Sequence, residues 1–217
     1  MSIYQLNEAT ALLERVAKRI IQGPDRNTVE ACLIVLLRTK EDRVPAIVND
    51  ATPYFNSEIF NSVIDTLARK QKQDILLKLL QTTNDLSPDK STYIITVIGD
   101  MKVPFGRPVL SNLVEVAKKN SFDENLRVVV VTAMDKAKEN ELTDKATDEA
   151  IQLTLLKYIS DSKEHVRVRR SAVRALKWFA REEIVLHTLR ELALNQGEDD
   201  DVRDTARSIL PSQNPYE

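Results

Sequence analysis

The residues from which many enzymes assemble their sites are scarce in this sequence: 217 positions hold four glycines, two histidines and one cysteine. A single cysteine, Cys32, excludes an intramolecular disulfide and a cysteine-based zinc site. The two histidines, His165 and His187, are too far apart for the i, i+4 pair of a helical zinc site, so no metal and no cofactor is expected. Phosphate-cradling loops need clustered glycines, whereas Gly99 and Gly106 flank a loop containing Pro104 and form no nucleotide-binding motif. A serine triad lacks both its strand–turn–helix elbow and a histidine partner. No apolar run approaches the ~18 residues of a membrane span. The N-terminal MSIYQLNEATALLERVAKRI carries charges every few residues instead of a signal-peptide core, so a cytoplasmic protein without a membrane partner is expected. Neither sign of charge dominates, with 31 basic against 33 acidic residues and a net charge of −2. The chain as a whole therefore has no nucleic-acid footprint.

What is present is a concealed repeat. VRRSAVRAL (168–176), VRDTARSIL (202–210) and LRVVVVTAM (126–134) share an apolar residue, an arginine and small or apolar residues at positions 1, 5, 8 and 9. That spacing marks one stripe of an α-helix. The same apolar pattern begins at Thr28, Ile59 and Lys90, giving six copies spaced by 31 to 42 residues, as in helix-pair repeats. Three residues before each copy stand Asp25, Asn56, Ser87, Asp123, His165 and Asp199. Five are preferred N-cap residues, and in the fifth copy the cap is expected to move upstream to Asp161 with Glu164 as its capping-box partner. Before each copy lies another amphipathic segment: ATALLERVAKRI, RVPAIVNDA, DILLKLLQ, PVLSNLVEVAKK, AIQLTLLKYIS and IVLHTLRELAL. Gly23 and Gly197 follow the first and last, where left-handed helix ends favour glycine. The polar stretch 136–148 is expected to be a helix extension plus loop. Twelve helices in six hairpins follow.

The D-x-x-V-R signature opening these second helices resembles HEAT repeats, especially the subgroup named for phycobilisome lyases. Asp123/Leu126/Arg127 and Asp199/Val202/Arg203 carry it, Val168/Arg169 carry it with His165 in place of aspartate, and Val29, Phe60 and Ser91 replace the arginine in the first three copies. The resemblance implies an all-α solenoid of six hairpins in one domain over 1–217, with repeats at about 7–39, 42–70, 72–101, 106–138, 145–179 and 181–210 and a tail at 211–217. It also implies that the recurring arginine pairs with a turn aspartate of a neighbouring repeat. Asp123, Arg127, Arg169, Asp199 and Arg203 are accordingly expected to be structural.

Cys32 falls at position 5, a small core position, where a thiol would be inert. His165 is read as a helix-start residue and His187 as an exposed or half-buried helix residue. The acidic run 198–201 is read as a helix N-terminus, since it lacks the spaced ligands and turn glycine of a calcium loop. One cluster stands out: HVRVRRSAVRALKWFAR (165–181) places Arg170, Arg174 and Lys177 at positions 3, 7 and 10, successive exposed sites of one helical face, with Arg167 nearby. The same positions hold Glu30, Ile34 and Leu37 in the first copy, Asn61, Asp65 and Ala68 in the second, and Thr92, Thr96 and Gly99 in the third. If solvated, the cluster would be neutralised by Asp161, Glu164 or carboxylates of the next repeat. The only tryptophan, Trp178, is expected in the core and alternatively as an exposed anchor of the patch.

The second helices of HEAT hairpins line a concave surface, so the resemblance implies a groove whose C-terminal part is basic. The expected function is a non-enzymatic scaffold or adaptor that binds another protein through an acidic surface or segment. The resemblance also implies an alternative, a bilin lyase or lyase-related chaperone. A DNA-binding or alkylated-base glycosylase solenoid is disfavoured, because it would need basic residues along several repeats.

Overall fold

The computed structural model describes residues 26–39, 41–52, 55–82, 86–119 and 123–211. Eleven α-helices account for most of them: α1 (Arg26–Thr39), α2 (Val44–Ala51), α3 (Ser57–Arg69), α4 (Gln73–Thr82), α5 (Pro88–Asp100), α6 (Arg107–Lys119), α7 (Glu124–Glu139), α8 (Lys145–Ser160), α9 (Val166–Ala175), α10 (Glu183–Leu194) and α11 (Asp200–Ile209). Short 3-10 turns at Glu41–Arg43 and Leu176–Phe179 complete the list, and no strand occurs among the described residues. The protein is all-α. None of these helices is long and apolar enough to cross a membrane. The six repeat copies fall on α1, α3, α5, α7, α9 and α11, and the intervening amphipathic segments form α2, α4, α6, α8 and α10. The expected first helix, ATALLERVAKRI, lies outside the described residues, as do Asp25, Gly23 and nearly all of the tail.

The helix starts follow from capping chemistry. Asn56 accepts from the Ile59 amide, Ser87 from Lys90, and Asp123 from both Asn125 and Leu126, each satisfying donors that have no partner inside the helix. Asp199 does the same for Asp201. The fifth copy differs from expectation. His165 itself caps α9 through Nδ1, which accepts from the Arg167 amide at 3.3 Å. Asp161 instead ends α8 and accepts from the Lys163 amide, while Glu164 accepts from the His165 amide. An imidazole nitrogen reaches the first turn as well as a carboxylate does, so no upstream shift is needed.

The helix ends also depart from the glycine rule. Gly197 has an ordinary backbone conformation, held by its amide donating to the Asn195 side chain. The left-handed positions are Gln71 and Glu141, both at φ 56°. Each closes a helix with the same pair of bonds, Gln71 to Ala68 and Lys72 to Leu67, Glu141 to Lys138 and Leu142 to Ala137. These satisfy the last carbonyls of α3 and α7 without glycine.

Packing divides the chain into two compact units, with the boundary between Val103 and Pro104. In the first, α1, α3 and α5 pack in succession and α2 pairs with α4. In the second, α9 packs between α7 and α11, α6 packs on α8, and α6–α7, α8–α9 and α10–α11 form hairpins. The core is the stripe read from the repeat: Leu126, Val130, Ala133 and Met134 of α7 and Val168, Ala172, Ala175 and Leu176 of the fifth copy are all buried. Cys32 is buried among the apolar residues of α1, and burial pushes its thiol pKa up. Leu37 and Gly99, expected on the exposed face, are buried. Val29, Phe60 and Ser91, which stand where later copies hold arginine, are buried as well, so the early second helices bury a wider arc. Asp123→Ala removes two capping bonds and is expected to lower stability by roughly 0.5–2 kcal/mol, read as a shift in urea midpoint at unchanged slope.

Candidate functional site

Arginine at position 2 of the repeat organises the second unit. The guanidinium of Arg127 on α7 reaches the Glu164 carboxylate at 2.9 and 3.0 Å, with both side chains nearly withdrawn from water. One repeat later Arg169 on α9 pairs with Glu198, whose side chain is only 3% exposed. Each glutamate immediately precedes an N-cap residue and also accepts from that residue's amide, Glu164 from His165 and Glu198 from Asp199. The partner is therefore this glutamate and not the turn aspartate that the family resemblance implied. Asp123 and Asp199 are engaged with amides of their own helices. A glutamate one residue earlier accepts only one amide, leaving acceptor capacity, and has the longer stem needed to meet the neighbouring helix. Arg203 turns back to Asp200 of its own helix and donates to the Glu198 carbonyl. The acidic run is thus divided: Glu198 is a buried ion-pair partner, Asp199 a cap, and Asp200 and Asp201 surface partners of Arg203 and Arg170.

Next to these pairs, α7, α9 and α11 enclose a groove of about 760 Å³ lined by Arg167, Arg170, Arg174 and Lys177. Val128 forms part of its apolar lining, and Ser171, Thr205 and Ser208 supply hydroxyls. All four cations are exposed. Three are partly neutralised. Arg170 meets Asp201 at 3.0 Å, Lys177 meets Asp135 at 3.1 Å, and Arg167 donates to Asn125 at 2.8 Å with Glu124 at 3.8 Å. Of the carboxylates expected to do this, only those of the next repeat take part. Asp161 and Glu164 do not, and Asp135 and Glu124 come from the preceding repeat. The side chain of Arg174 has no ion pair or hydrogen bond among the described residues.

Trp178 is not a core residue. It is 41% exposed in the 3-10 turn after α9, where it stands at position 11 of the copy, off the buried stripe that Leu176 and Phe179 continue. Its indole donates to Asp135 at 2.6 Å, and the Lys177 ammonium lies 4.8 Å from the ring centroid. Lys177, Trp178 and Asp135 thus form one linked cluster at the rim. His165 is an exposed cap, and His187 is exposed beside Glu191 at 3.4 Å. Among the described residues no group of three His, Cys, Asp or Glu is placed to hold a metal ion.

Two phenols are displaced from ordinary behaviour. Burial pushes Tyr158 up to about 12, the Glu164 carboxylate adding to the effect and Arg127 opposing it. Burial also raises Tyr93 to about 12, together with its 2.8 Å hydrogen bond to Asp65. In the earlier copies the groove positions are occupied differently, Glu30 pairing with Arg69 and Asp65 accepting from Tyr93. No family model matches the chain, and no curated protein or solved structure does.

Two outcomes are expected. Glu198→Ala strands the Arg169 charge and should cost about 3 kcal/mol, whereas Arg169→Met with Glu198→Leu should stay within ~1 kcal/mol of wild type, both read from urea unfolding. In alkali the folded state holds the Tyr93 and Tyr158 protons longer than the unfolded chain does. Their contribution to stability is therefore complete below about pH 10 and is lost as pH rises toward 12. Tyrosinate absorbance should show a late-titrating fraction that shrinks in Tyr158→Phe.

Proposed function

We propose that this protein is a non-enzymatic scaffold or adaptor, built as a HEAT-like solenoid, which holds an acidic segment of a partner protein in the groove of α7, α9 and α11. The fold part of this reading is supported by the alternation of helices in both units. In each, the repeat copies pack on one another in sequence order, as stacked hairpins would. The observation that carries the functional part is Arg174, without a partner among the described residues, at the middle of a row of four cations in one groove.

The existing ion pairs do not stand in the way of a ligand. Arg170 and Asp201 are 56% and 69% exposed, and pairs in such positions contribute roughly 0–1 kcal/mol. Partner carboxylates can replace Asp201 and Glu124 at small cost while gaining Arg174, and Asp135, only 16% exposed and bonded to the Trp178 indole, stays in place. Ser171 and Thr205 donate to carbonyls one turn back in their own helices, and Ser208 donates to the Thr205 carbonyl. Recognition would then rest on charge and shape, which favours orientation and rate of capture over tight affinity.

The test is a labelled, proline-interrupted glutamate-rich peptide titrated by fluorescence anisotropy. Arg170→Glu with Arg174→Glu should leave the helical spectrum unchanged, because both side chains are exposed, and should weaken binding at least about tenfold. Wild-type binding should fall as salt rises, and Trp178 emission should change as a partner carboxylate approaches the Lys177 ammonium beside its ring. Equal affinity in the double variant would overturn the proposal.

A further inference from the structure

The other row of helices in the second unit carries a surface of different character. Between α6 and α8 lies a groove of about 540 Å³, and between α8 and α10 another of about 580 Å³. They share Leu153 and Lys157, so α8 forms the ridge between two adjoining furrows. Leu153 on that ridge is 67% exposed and Ile184, lining the second furrow, 61%. Val114, Leu156 and the ring of Tyr158 extend the apolar area. Apolar side chains gathered in this way mark a surface that gains by being covered.

We propose that this face docks an acidic amphipathic helix of a partner protein. Three lysines, Lys118, Lys157 and Lys163, border the first furrow, and their ammonium groups have no partner among the described residues. This contrasts with Arg127, Lys138, Arg167, Arg169 and Arg170 in the same unit, each held by a nearby carboxylate. Four cations, Arg127 with these lysines, stand against three carboxylates at the two furrows: Glu164 pairs with Arg127, Asp161 accepts from the Lys163 amide, and Glu191 lies beside His187. The uncompensated charge around the apolar area is positive, so the complementary partner is apolar on one side and acidic at its flanks.

The partner's backbone form follows from that of the host. Both furrows run between helices, whose amides and carbonyls are already paired internally, so no strand edge is offered for an extended segment to join. A segment lying there must satisfy its own backbone. A helix does so, and its side chains at i, i+3, i+4 and i+7 can straddle the α8 ridge. The Tyr158 hydroxyl, without a partner among the described residues, lies in the first furrow as a donor for a carboxylate. This surface belongs to the first helices of the hairpins, shares no lining residue with the basic groove, and does not rest on the function proposed for that groove.

The experiment uses the full chain and a synthetic amphipathic helix with leucines along one face and glutamates at its flanks. Lysine-for-glutamate and scrambled versions serve as controls. Methyl resonances of Leu153 and Ile184 should shift with the glutamate peptide, and the lysine version should bind at least about tenfold more weakly. Lys157→Glu with Lys163→Glu, and separately Leu153→Ser, should each weaken binding by a similar factor. All three side chains are exposed, and an unchanged helical spectrum verifies folding. Arg170→Glu with Arg174→Glu should leave this binding intact, which separates the surface from the basic groove. Equal binding of the acidic and basic peptides, shifts confined to methyls of the basic groove such as Val128, or no binding at about 1 mM peptide would overturn the proposal.

Discussion

Arg127 and Arg169 each extend from one second helix to the glutamate that opens the next, in positions where water scarcely reaches. A buried charge is tolerated only if it is paired and hydrogen-bonded. Here each carboxylate meets the guanidinium and one amide together, and the buried Arg169 Nε is left without a hydrogen-bond partner. The contact is a weak source of net stability, since apolar residues of similar volume could replace it. It is directional, however, and its two ends lie on successive repeats. Sliding or rotating one hairpin against the next would strand a charge, so the pairs fix the register of α7, α9 and α11 in a way that interchangeable aliphatic contacts do not.

That register gives the groove its composition. With α7, α9 and α11 locked in phase, outward positions of neighbouring helices come side by side, so Asp135 and Glu124 reach cations of the next repeat and Asp201 reaches back. Arginine therefore has two roles separated by burial alone. At position 2 it is enclosed and its partner is costly to remove. At positions 3 and 7 it is exposed, its partner is cheap to exchange, and in Arg174 no partner is present among the described residues. The same side chain is architecture on one edge of α9 and available charge on the other.

The sequence pattern exposed the second helices well because a small set of strong local signals agreed. Apolar spacing gave the buried stripe, and Asn56, Ser87, Asp123 and Asp199 independently gave the starts. The misplacements arise where local pattern yields to packing. Leu37 and Gly99 stand at position 10, which is exposed where position 2 is arginine, as at Lys177. With Val29 and Ser91 there instead, the early helices turn more of their surface inward. Trp178 is expected in the core on its bulk alone, yet it stands at position 11, off the stripe, and Phe179 fills the buried place beside it. Gln71 and Glu141 take left-handed backbone without being glycine, and no composition rule singles them out. The glutamate partners were legible in principle. Glutamate stands four residues before position 1 in the fifth and sixth copies, each time following a copy with the arginine, whereas Phe122 stands there after Ser91. That correlation needs comparison across neighbouring repeats, which a single-copy template does not make.

The two faces of the second unit differ in the kind of order they impose on a ligand. Along the second helices the hydroxyls of Ser171, Thr205 and Ser208 are committed to backbone carbonyls, and four cations stand beside Val128, Ala180 and Ile209. The ligand proposed for it would be held largely by screened charge, which tolerates an irregular backbone and many side-chain orders. Along the first helices the ridge of Leu153 and the furrows beside it demand apolar side chains at helical spacing, with charge only at the margin. Shape and marginal charge would discriminate together there. Because the grooves share no lining residue, occupation of one leaves the contacts of the other intact. The Arg127–Glu164 pair, which borders the first furrow and fixes α7 against the start of α9, is the structural element common to both. A change at that pair would alter the phase of the basic row and the depth of the apolar furrow together, so the residues that set the repeat register also set the relation between the two surfaces.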